Sequence, residues 1–594
     1  MPIIILLLLF WSFGASSHAA ATEVGASQRL AAMADEYWDY VSDEEPATAL
    51  MAGRPAKHLY DVSYRHARAS ADWARAFRER LRRISVAELS EKERVSYQFL
   101  DWLLEQRISA LEFYWLSIPI TPIQWNQING PAFNLHPLRD SRDLNSYVAL
   151  ASQYAAYVRA IRGIVERQLK MGIVLPKPAL EKARRQFDAL VEKPEMSPLM
   201  VEKERLTAIP PAEASAFQNR ISAIVIQKVN PELKRLRDFL AGDYAQRAPA
   251  EVGQWVYPRG KEYYRYLVRT QTTMDLSPEE IHRRGLAEVD RIEKEMAQLR
   301  EKIGFKGSRE QFHQLIKTDP RFFAKTPEEV RRLLLGYADA IKDKMPAYFD
   351  PAPTHRFDVR RLAAASEDGM TFGYYQPPTE TAPTGIYFFN GSKLEERSTL
   401  EAEHLIYHEL IPGHHLQVSL AQESSSVPTF QSQAVYLGIY SDGWAEYAAE
   451  ILAPEMGMFQ DPYSRYGRLV RGELFMAVRL VVDTGMNDFG WPLEKARAYM
   501  RDKLLESETQ IDSETLRYAT DYPAQALVYN LGMHRIAELR ARTREQLGKR
   551  FDIKAFHRAV LENGSLPMSV LDRHVQAYVD STLAQATTPA QPAR

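Results

Sequence analysis

The chain has 594 residues, of which 45% are hydrophobic and 26% charged, so its composition excludes disordered and fibrous proteins. Lysine and arginine (75) balance aspartate and glutamate (77), and the chain as a whole lacks the basic charge of a nucleic-acid-binding protein. There is no cysteine, which excludes disulfides, thiolate nucleophiles and thiolate metal sites. Histidine and carboxylate side chains must therefore hold any transition metal.

An apolar run from Pro2 to Phe13 opens the chain, and small residues follow it up to Ala21. The run is shorter than the roughly 20 residues that span a bilayer. With the small residues behind it, it predicts a cleaved secretory signal peptide over residues 1–21, the alternative being an uncleaved membrane anchor. No cysteine follows that could carry a lipid. We therefore expect an exported, periplasmic protein with no stable membrane insertion after cleavage.

Helical periodicity dominates the next part of the chain and predicts a helical N-terminal lobe over residues 22–350. The clearest helix begins at a capping sequence, Ser277 to Glu280, with proline at its first position. Apolar residues then recur three and four positions apart until Gly304. This lobe carries no recognisable chemistry and is predicted to be scaffold.

Residues 351–385 are rich in proline, glycine and threonine and predict a junction loop. The stretch from Gly385 to Asn390 favours β structure and is one of few strand candidates. Helical patterns then return and predict a second lobe over residues 386–585, followed by a disordered tail at residues 586–594. The predicted fold class is mainly α, a large helical body with a small β element.

The chemistry-bearing part of the sequence is a cluster of histidines. Four of the 14 histidines lie within twelve residues, namely His404, His408, His414 and His415. His408-Glu409 followed by another histidine is typical of zincins, in which two histidines one helical turn apart bind zinc. The glutamate after the first histidine is their general base. The cluster therefore predicts a Zn²⁺ site with Glu409 as the catalytic base.

The spacing of the cluster differs from the simple zincin motif. Pro412 occupies the position four residues after His408, where the second histidine is expected. Proline followed by Gly413 predicts that the helix breaks or bulges there. Looping out two residues would bring His414 to the second ligand position, and looping out three would bring His415 there. We favour His414 and keep His415 as the alternate.

Two other interpretations of the cluster remain open. His404 and His408 form a true i, i+4 pair, but Glu409 would then lie beside one ligand rather than between two. Alternatively, the histidines only pack a helix end and bind no metal.

A third metal ligand is predicted from a second acidic stretch. Asp442, Glu446 and Glu450 lie four residues apart, so in a helix they share one face and repel one another unless a cation is near. Trp444 and Tyr447 indicate that this helix is buried rather than a solvated acidic face. We predict Asp442 as the third ligand, with Glu446 as the alternate.

The stretch from His408 to Gln417 resembles the signature of the domain-of-unknown-function 885 family, bacterial proteins regarded as relatives of the gluzincin zinc peptidases. The run Gly443-Trp444-Ala445 and the stretch from Arg479 to Gly485 also fit that family. The resemblance covers most of the mature chain. It implies a zincin-like, two-lobed helical body with a deep cleft, similar to the peptidases typified by angiotensin-converting enzyme.

The resemblance further implies that His408, one of the paired histidines and the acid before Gly443 bind zinc. The family usually has glutamate where this chain has Asp442. The expected activity is hydrolysis of peptide bonds in short peptides by a metal-activated water. The alternatives are a zinc amidase acting on a non-peptide amide, and a catalytically inactive periplasmic peptide-binding protein.

The remaining site residues are predicted from the roles that such a reaction requires. Tyr518 and Tyr529 are candidate donors to the oxyanion, and Arg517 is a candidate partner for a substrate carboxylate. Tyr387 and Phe389 are candidate substrate-binding residues, because their strand could pair with an extended peptide if it lies at a sheet edge.

Overall fold

The computed structural model describes residues 25–121, 123–363, 367, 373–379, 383–424, 427–432 and 436–585. The predicted signal peptide and the predicted tail lie outside these residues. Within them the chain is mainly α-helical, as predicted, with one three-stranded sheet. None of the helices in the described residues combines the length and the apolar character needed to cross a membrane.

The part of the chain before residue 350 is a scaffold of helices, the clearest of which begins and ends where the sequence indicates. Ser277 caps the longest of them by accepting a hydrogen bond from the Glu280 amide at 3.1 Å, and Gly304 ends it in the left-handed conformation, with φ 85°. The helices are Ala26–Glu44, Pro46–Met51, Tyr64–Leu81, Glu91–Ser109, Gln124–Asn134, Ser141–Ala151, Tyr154–Lys170, Lys177–Glu192, Pro211–Ile224, Asn230–Ala241, Asp243–Arg247, Gly260–Thr272, Pro278–Ile303, Arg309–Thr318 and Pro327–Lys342.

The sheet contains strands β1 (Arg356–Arg361), β2 (Gly373–Gln376) and β3 (Thr384–Phe389) in the order β1-β3-β2. Strand β3 confirms the strand candidate. The prediction of a junction loop over residues 351–385 was wrong, because β1 and β2 lie within it. Four of the six residues of β1 are charged and only Val359 is buried, so the strand lacks the apolar pattern that marks a strand in sequence.

Strand β3 is the central strand, which overturns its predicted role as a substrate-binding edge. It pairs in parallel with β1 and antiparallel with β2, so both of its sides are already hydrogen-bonded. Tyr387 and Phe389 are only 1% and 5% exposed and belong to the hydrophobic core. These two side chains therefore position the sheet and do not present a surface to a peptide.

The second half of the chain contains the predicted site. Three of its helices are named here by the residue they carry: the His408 helix (Ala402–Glu409), the His414 helix (His414–Glu423) and the Asp442 helix (Gly438–Tyr447). The other helices are Thr429–Ser432, Ala453–Glu455, Pro462–Arg468, Phe475–Asn487, Leu493–Lys503, Glu508–Leu516, Val528–Leu547, Ile553–Leu561 and Met568–Gln585. Several of them are continued by π-helical turns, at Ala448–Leu452, Leu469–Leu474 and Arg517–Asp521.

The Asp442 helix is held in place by a close helix crossing. It packs against the helix Val528–Leu547 where two glycines meet, and a Cβ on Gly443 would lie 2.6 Å from the Cα of Gly532. Only glycine permits backbones to approach this closely without a shift of the helices. The crossing therefore explains the glycine after Asp442 and fixes the position of that side chain.

Candidate metal centre

The helix break predicted from Pro412 and Gly413 is present. The His408 helix ends at Glu409, and the His414 helix begins after a turn. A Cβ on Gly413 would overlap the carbonyl oxygen of His408, so the turn requires glycine at this position. The indole Nε1 of Trp444 donates a hydrogen bond to the Pro412 carbonyl at 3.0 Å, which ties the turn to the Asp442 helix.

The structure brings together His408, His414 and Asp442, called the first group below. Their ligand atoms all lie within 4.8 Å of one another, and His414 Nε2 is 3.6 Å from Asp442 Oδ1. Zinc bonds of about 2.0–2.2 Å place tetrahedral ligand atoms about 3.3–3.6 Å apart. The first group thus fits a zinc ion with a small contraction, and it comprises the three residues that the sequence favoured as ligands.

Glu409 lies beside the first group at the end of the His408 helix and is half-buried. Burial raises the pKa of Tyr387 and of Tyr375, and the negative charge of Glu409 raises both further, so the carboxylate lies near the sheet. Among the described residues this carboxylate has no hydrogen-bond or ion-pair partner. It is therefore available to accept a proton.

His415, the alternate second ligand, lies outside the first group. Its Nδ1 is 2.9 Å from the hydroxyl of Tyr375, and its Nε2 is 3.1 Å from the backbone carbonyl of His355. Burial lowers its pKa to about 4. Both ring nitrogens are thus engaged against the sheet, and His415 supports the structure next to the candidate ligands.

A second group of potential ligands lies next to the first and consists of His404, Glu446 and Glu450. The Nε2 atom of His404 is 3.1 Å from an oxygen of each glutamate. Glu446, the alternate third ligand, also places Oε1 3.2 Å from His408 Nδ1. The two atoms lack hydrogen-bond geometry, so this is a close contact that places Glu446 beside a candidate ligand of the first group.

Opposite charges dominate the electrostatics of the second group. Burial alone would lower the pKa of His404, but the two carboxylates beside it raise that pKa to about 9. Burial works against ionisation of Glu446, yet the charges of His404 and His408 hold its pKa well below the usual range. Arg468 contacts Glu450 at 2.5 Å from the opposite side.

Tyr436 is a site residue that sequence reasoning missed. Its hydroxyl donates a hydrogen bond to Asp442 Oδ2 at 2.8 Å, while 68% of the residue is exposed. Burial of this hydroxyl raises the pKa of Tyr436 well above its usual range, so the hydroxyl is enclosed by neighbouring groups although most of the residue is exposed. A hydroxyl that contacts a candidate ligand is close enough to contact a substrate bound there. Tyr436 lies six residues before Asp442, outside any motif, and no pattern distinguishes it among the 30 tyrosines of the chain.

Tyr518 and Arg517 are enclosed in an ion-pair cluster, which argues against their predicted roles. The Tyr518 hydroxyl is fully buried, accepts a hydrogen bond from Arg479 Nε at 2.8 Å and donates one to Glu514. Arg517 donates to Glu514 at 2.9 Å and to Gln525 at 2.6 Å. Neither side chain is free to contact a substrate in this arrangement.

Tyr529 is influenced by the charge of Asp442 in the first group, whereas Tyr518 is not. Burial raises its pKa, and the negative charge of Asp442 raises it further. The guanidinium of Arg479 stacks 4.7 Å from the centroid of its half-buried ring. Tyr529 therefore stays a candidate second donor beside Tyr436.

Comparisons with known proteins place the chain among proteins without an assigned activity. No curated protein matches it significantly. It is similar to the crystal structure of a "putative lipoprotein" from Colwellia psychrerythraea, with a TM-score of 0.85 and 26% identity over 94% of this chain and 100% of that chain. It also has the fold of a "putative lipoprotein of unknown function" from Shewanella oneidensis, with a TM-score of 0.69 and 20% identity over 93% and 99% of the two chains.

The family model of the bacterial proteins of unknown function DUF885 matches residues 46–575. The match spans most of the chain, including the scaffold, the sheet and both groups of potential ligands. The chain therefore belongs to the DUF885 family.

Proposed function

We propose that this protein is a zinc-dependent peptidase that hydrolyses peptide bonds in short peptides. The observation that carries the proposal is the first group, in which two imidazoles and one carboxylate converge within 4.8 Å. Glu409 lies beside them and has no hydrogen-bond or ion-pair partner among the residues that the structure describes. Three nitrogen and oxygen ligands with one position left open are the donor set of catalytic zinc sites. The arrangement matches the gluzincin chemistry that the sequence resemblance implies.

Each residue of the centre has a role in such a reaction. His408, His414 and Asp442 would hold zinc, which when bound lowers the pKa of a water toward about 7 and polarises the scissile carbonyl. Glu409 would accept a proton from the attacking water and deliver it to the leaving amine. Glu446 would keep the ring of His408 in its ligating orientation.

Tyr436 is proposed as the donor that stabilises the oxyanion, because its hydroxyl donates to Asp442 and can turn that single O–H toward a substrate bound beside this ligand. Tyr436→Phe is expected to lower kcat by about 100-fold, the usual loss for one oxyanion donor, with zinc content unchanged. Steady-state kinetics on a cleaved peptide and metal analysis measure the two effects. Tyr529→Phe is the comparison, and an equal or larger loss in that variant would transfer the role to Tyr529.

We also propose that the protein acts after export, in the periplasm. The apolar N-terminal segment supports this, as does the similar structure from Colwellia psychrerythraea, which is described as a "putative lipoprotein". Short peptides are the proposed substrates.

A reconstitution experiment tests the proposed activity. The purified protein is stripped of metal with a chelator and incubated with a mixture of short synthetic peptides, with and without added Zn²⁺. We expect cleavage only after zinc is restored, detected as new peptide fragments by mass spectrometry. A zinc-loaded protein that cleaves none of the peptides would contradict the peptidase assignment and favour a binding protein or an amidase acting on another class of amide.

A further inference from the structure

The second group lies one helical turn away from the first group along both the His408 helix and the Asp442 helix. His404 precedes His408 by four residues, and Glu446 follows Asp442 by four. Glu450 lies on the π-helical turn that continues the Asp442 helix, and such turns occur frequently at functional sites. The side chains of the second group are at most 2% exposed. Two carboxylates are thus enclosed together, which is costly unless a cation neutralises them.

The donor atoms of the second group are already close to the spacing that a metal requires. His404 Nε2 is 3.1 Å from Glu446 Oε2 and 3.1 Å from Glu450 Oε1, and all three atoms lie within 4.8 Å of one another. Tetrahedral coordination at about 2.0–2.2 Å requires separations of about 3.3–3.6 Å. A small outward shift of the imidazole would therefore admit a cation between the three atoms.

The hydrogen bonds of the second group are incomplete without a cation. In the described part of the chain, Glu450 Oε1 is buried and has no hydrogen-bond partner, although it points at the His404 ring. One N–H of that ring cannot donate well to two carboxylates at once. A divalent cation in the place of this single proton would bind all three donor atoms.

The backbone at Gly472 packs directly against the donor atoms of the second group. A Cβ on Gly472 would lie 2.5 Å from His404 Nε2 and closer still to Glu450 Oε1. Gly472 belongs to the π-helical turn Leu469–Leu474, so two such turns meet at this group. Only glycine at position 472 lets this backbone pack so closely against the two donor atoms.

Arg468 is the competing cation, and its geometry leaves the site open. It contacts the other oxygen of Glu450, Oε2, at 2.5 Å and is shared with Glu473 at 2.8 Å. Arg468 thus orients the carboxylate of Glu450 and leaves Oε1 directed at His404. Without a metal, the single Nε2 atom of His404 faces an oxygen of each glutamate, and a divalent cation would take the position between the three atoms.

We propose that the second group binds a second divalent cation of the first transition row, such as Zn²⁺ or Mn²⁺, for which imidazole and carboxylate are suitable ligands. The inference does not depend on the proposed reaction. Glu446 would connect the two cations, because Oε2 belongs to the second group and Oε1 contacts the ring of His408. The enclosed second cation would fix the ligands of the first rather than contact substrate.

Zinc stoichiometry tests the second site without reference to activity. Metal-free protein is dialysed against excess Zn²⁺ and its zinc content is measured by elemental analysis. We expect two zinc ions in each wild-type chain, and one after Glu450→Gln, which removes a donor of the second group only. His414→Ala should also retain one zinc ion, held by the second group. Glu473→Gln is the matched control, since it changes a carboxylate beside Arg468 but no donor atom, and it should retain both.

Anomalous diffraction from zinc-soaked wild-type crystals gives an independent reading that needs no variant. We expect a peak among His404, Glu446 and Glu450 as well as one at the first group. A single peak at the first group, with one zinc ion bound in solution, would overturn the proposal. His404 would then be a permanently protonated partner of the two glutamates, while the proposed peptidase activity would be unaffected.

Discussion

Replacing Glu409 by glutamine is expected to lower kcat for peptide hydrolysis by about 10²–10⁴-fold, the range for loss of a general base. Glutamine has nearly the same shape but cannot accept the proton from the attacking water. Because Glu409 is not among the residues whose ligand atoms converge, the variant should bind zinc like the wild type. Single-turnover kinetics and elemental analysis of the same preparation measure both effects.

The control for this variant is Glu395→Gln, an exposed glutamate on the short turn before the His408 helix. It makes the same chemical change away from the candidate centre and should leave kcat unaltered. Full hydrolysis by Glu409→Gln would show that another group is the base. Peptide binding without turnover in the wild type would instead favour the peptide-binding alternative.

The fold was predictable wherever the signal is local. The helix from Pro278 to Ile303 begins at its cap and ends at its glycine, because capping and apolar periodicity are properties of neighbouring residues. Strand β1 was missed because it lies at the edge of a small sheet, where charged side chains replace the apolar pattern. The position of β3 at the centre of the sheet depends on its pairing with β1 and β2, which the sequence of β3 alone does not predict.

The candidate site shows the same division between local and long-range information. The helix break is predictable from two neighbouring residues, Pro412 and Gly413. Looping out two residues there brings His414 rather than His415 to the ligand position. The sequence around Asp442 and Glu446 does not predict which of the two acids belongs to which group. Two acids four residues apart are equivalent on an isolated helix. The crossing of the Asp442 helix against its neighbours decides which of them faces which histidine. Tyr436 enters the site through the same packing.

Paired substitutions of the adjacent histidines test how the helix break places the ligands. His414→Ala should weaken zinc binding at the first group by more than about 100-fold, the upper end for loss of an outer-shell partner, and should abolish hydrolysis. His415→Ala should retain zinc and activity but lower the free energy of unfolding by about 1–3 kcal/mol, because the contacts with Tyr375 and the His355 carbonyl are lost. Competition with a chromophoric chelator and thermal unfolding measure the two quantities.

The pair is informative because the two histidines share their side-chain chemistry and their helix, and differ in the groups that their rings contact. Loss of zinc from the first group in His415→Ala, with zinc retained at the first group by His414→Ala, would mean that three residues rather than two are looped out after Glu409. The metal would then have to lie on the side of the turn that faces Tyr375. Retention of zinc at the first group by both variants would instead show that His414 is not a ligand. In that case the convergence of His408, His414 and Asp442 would be a packing arrangement, and the catalytic assignment would lose the observation on which it depends.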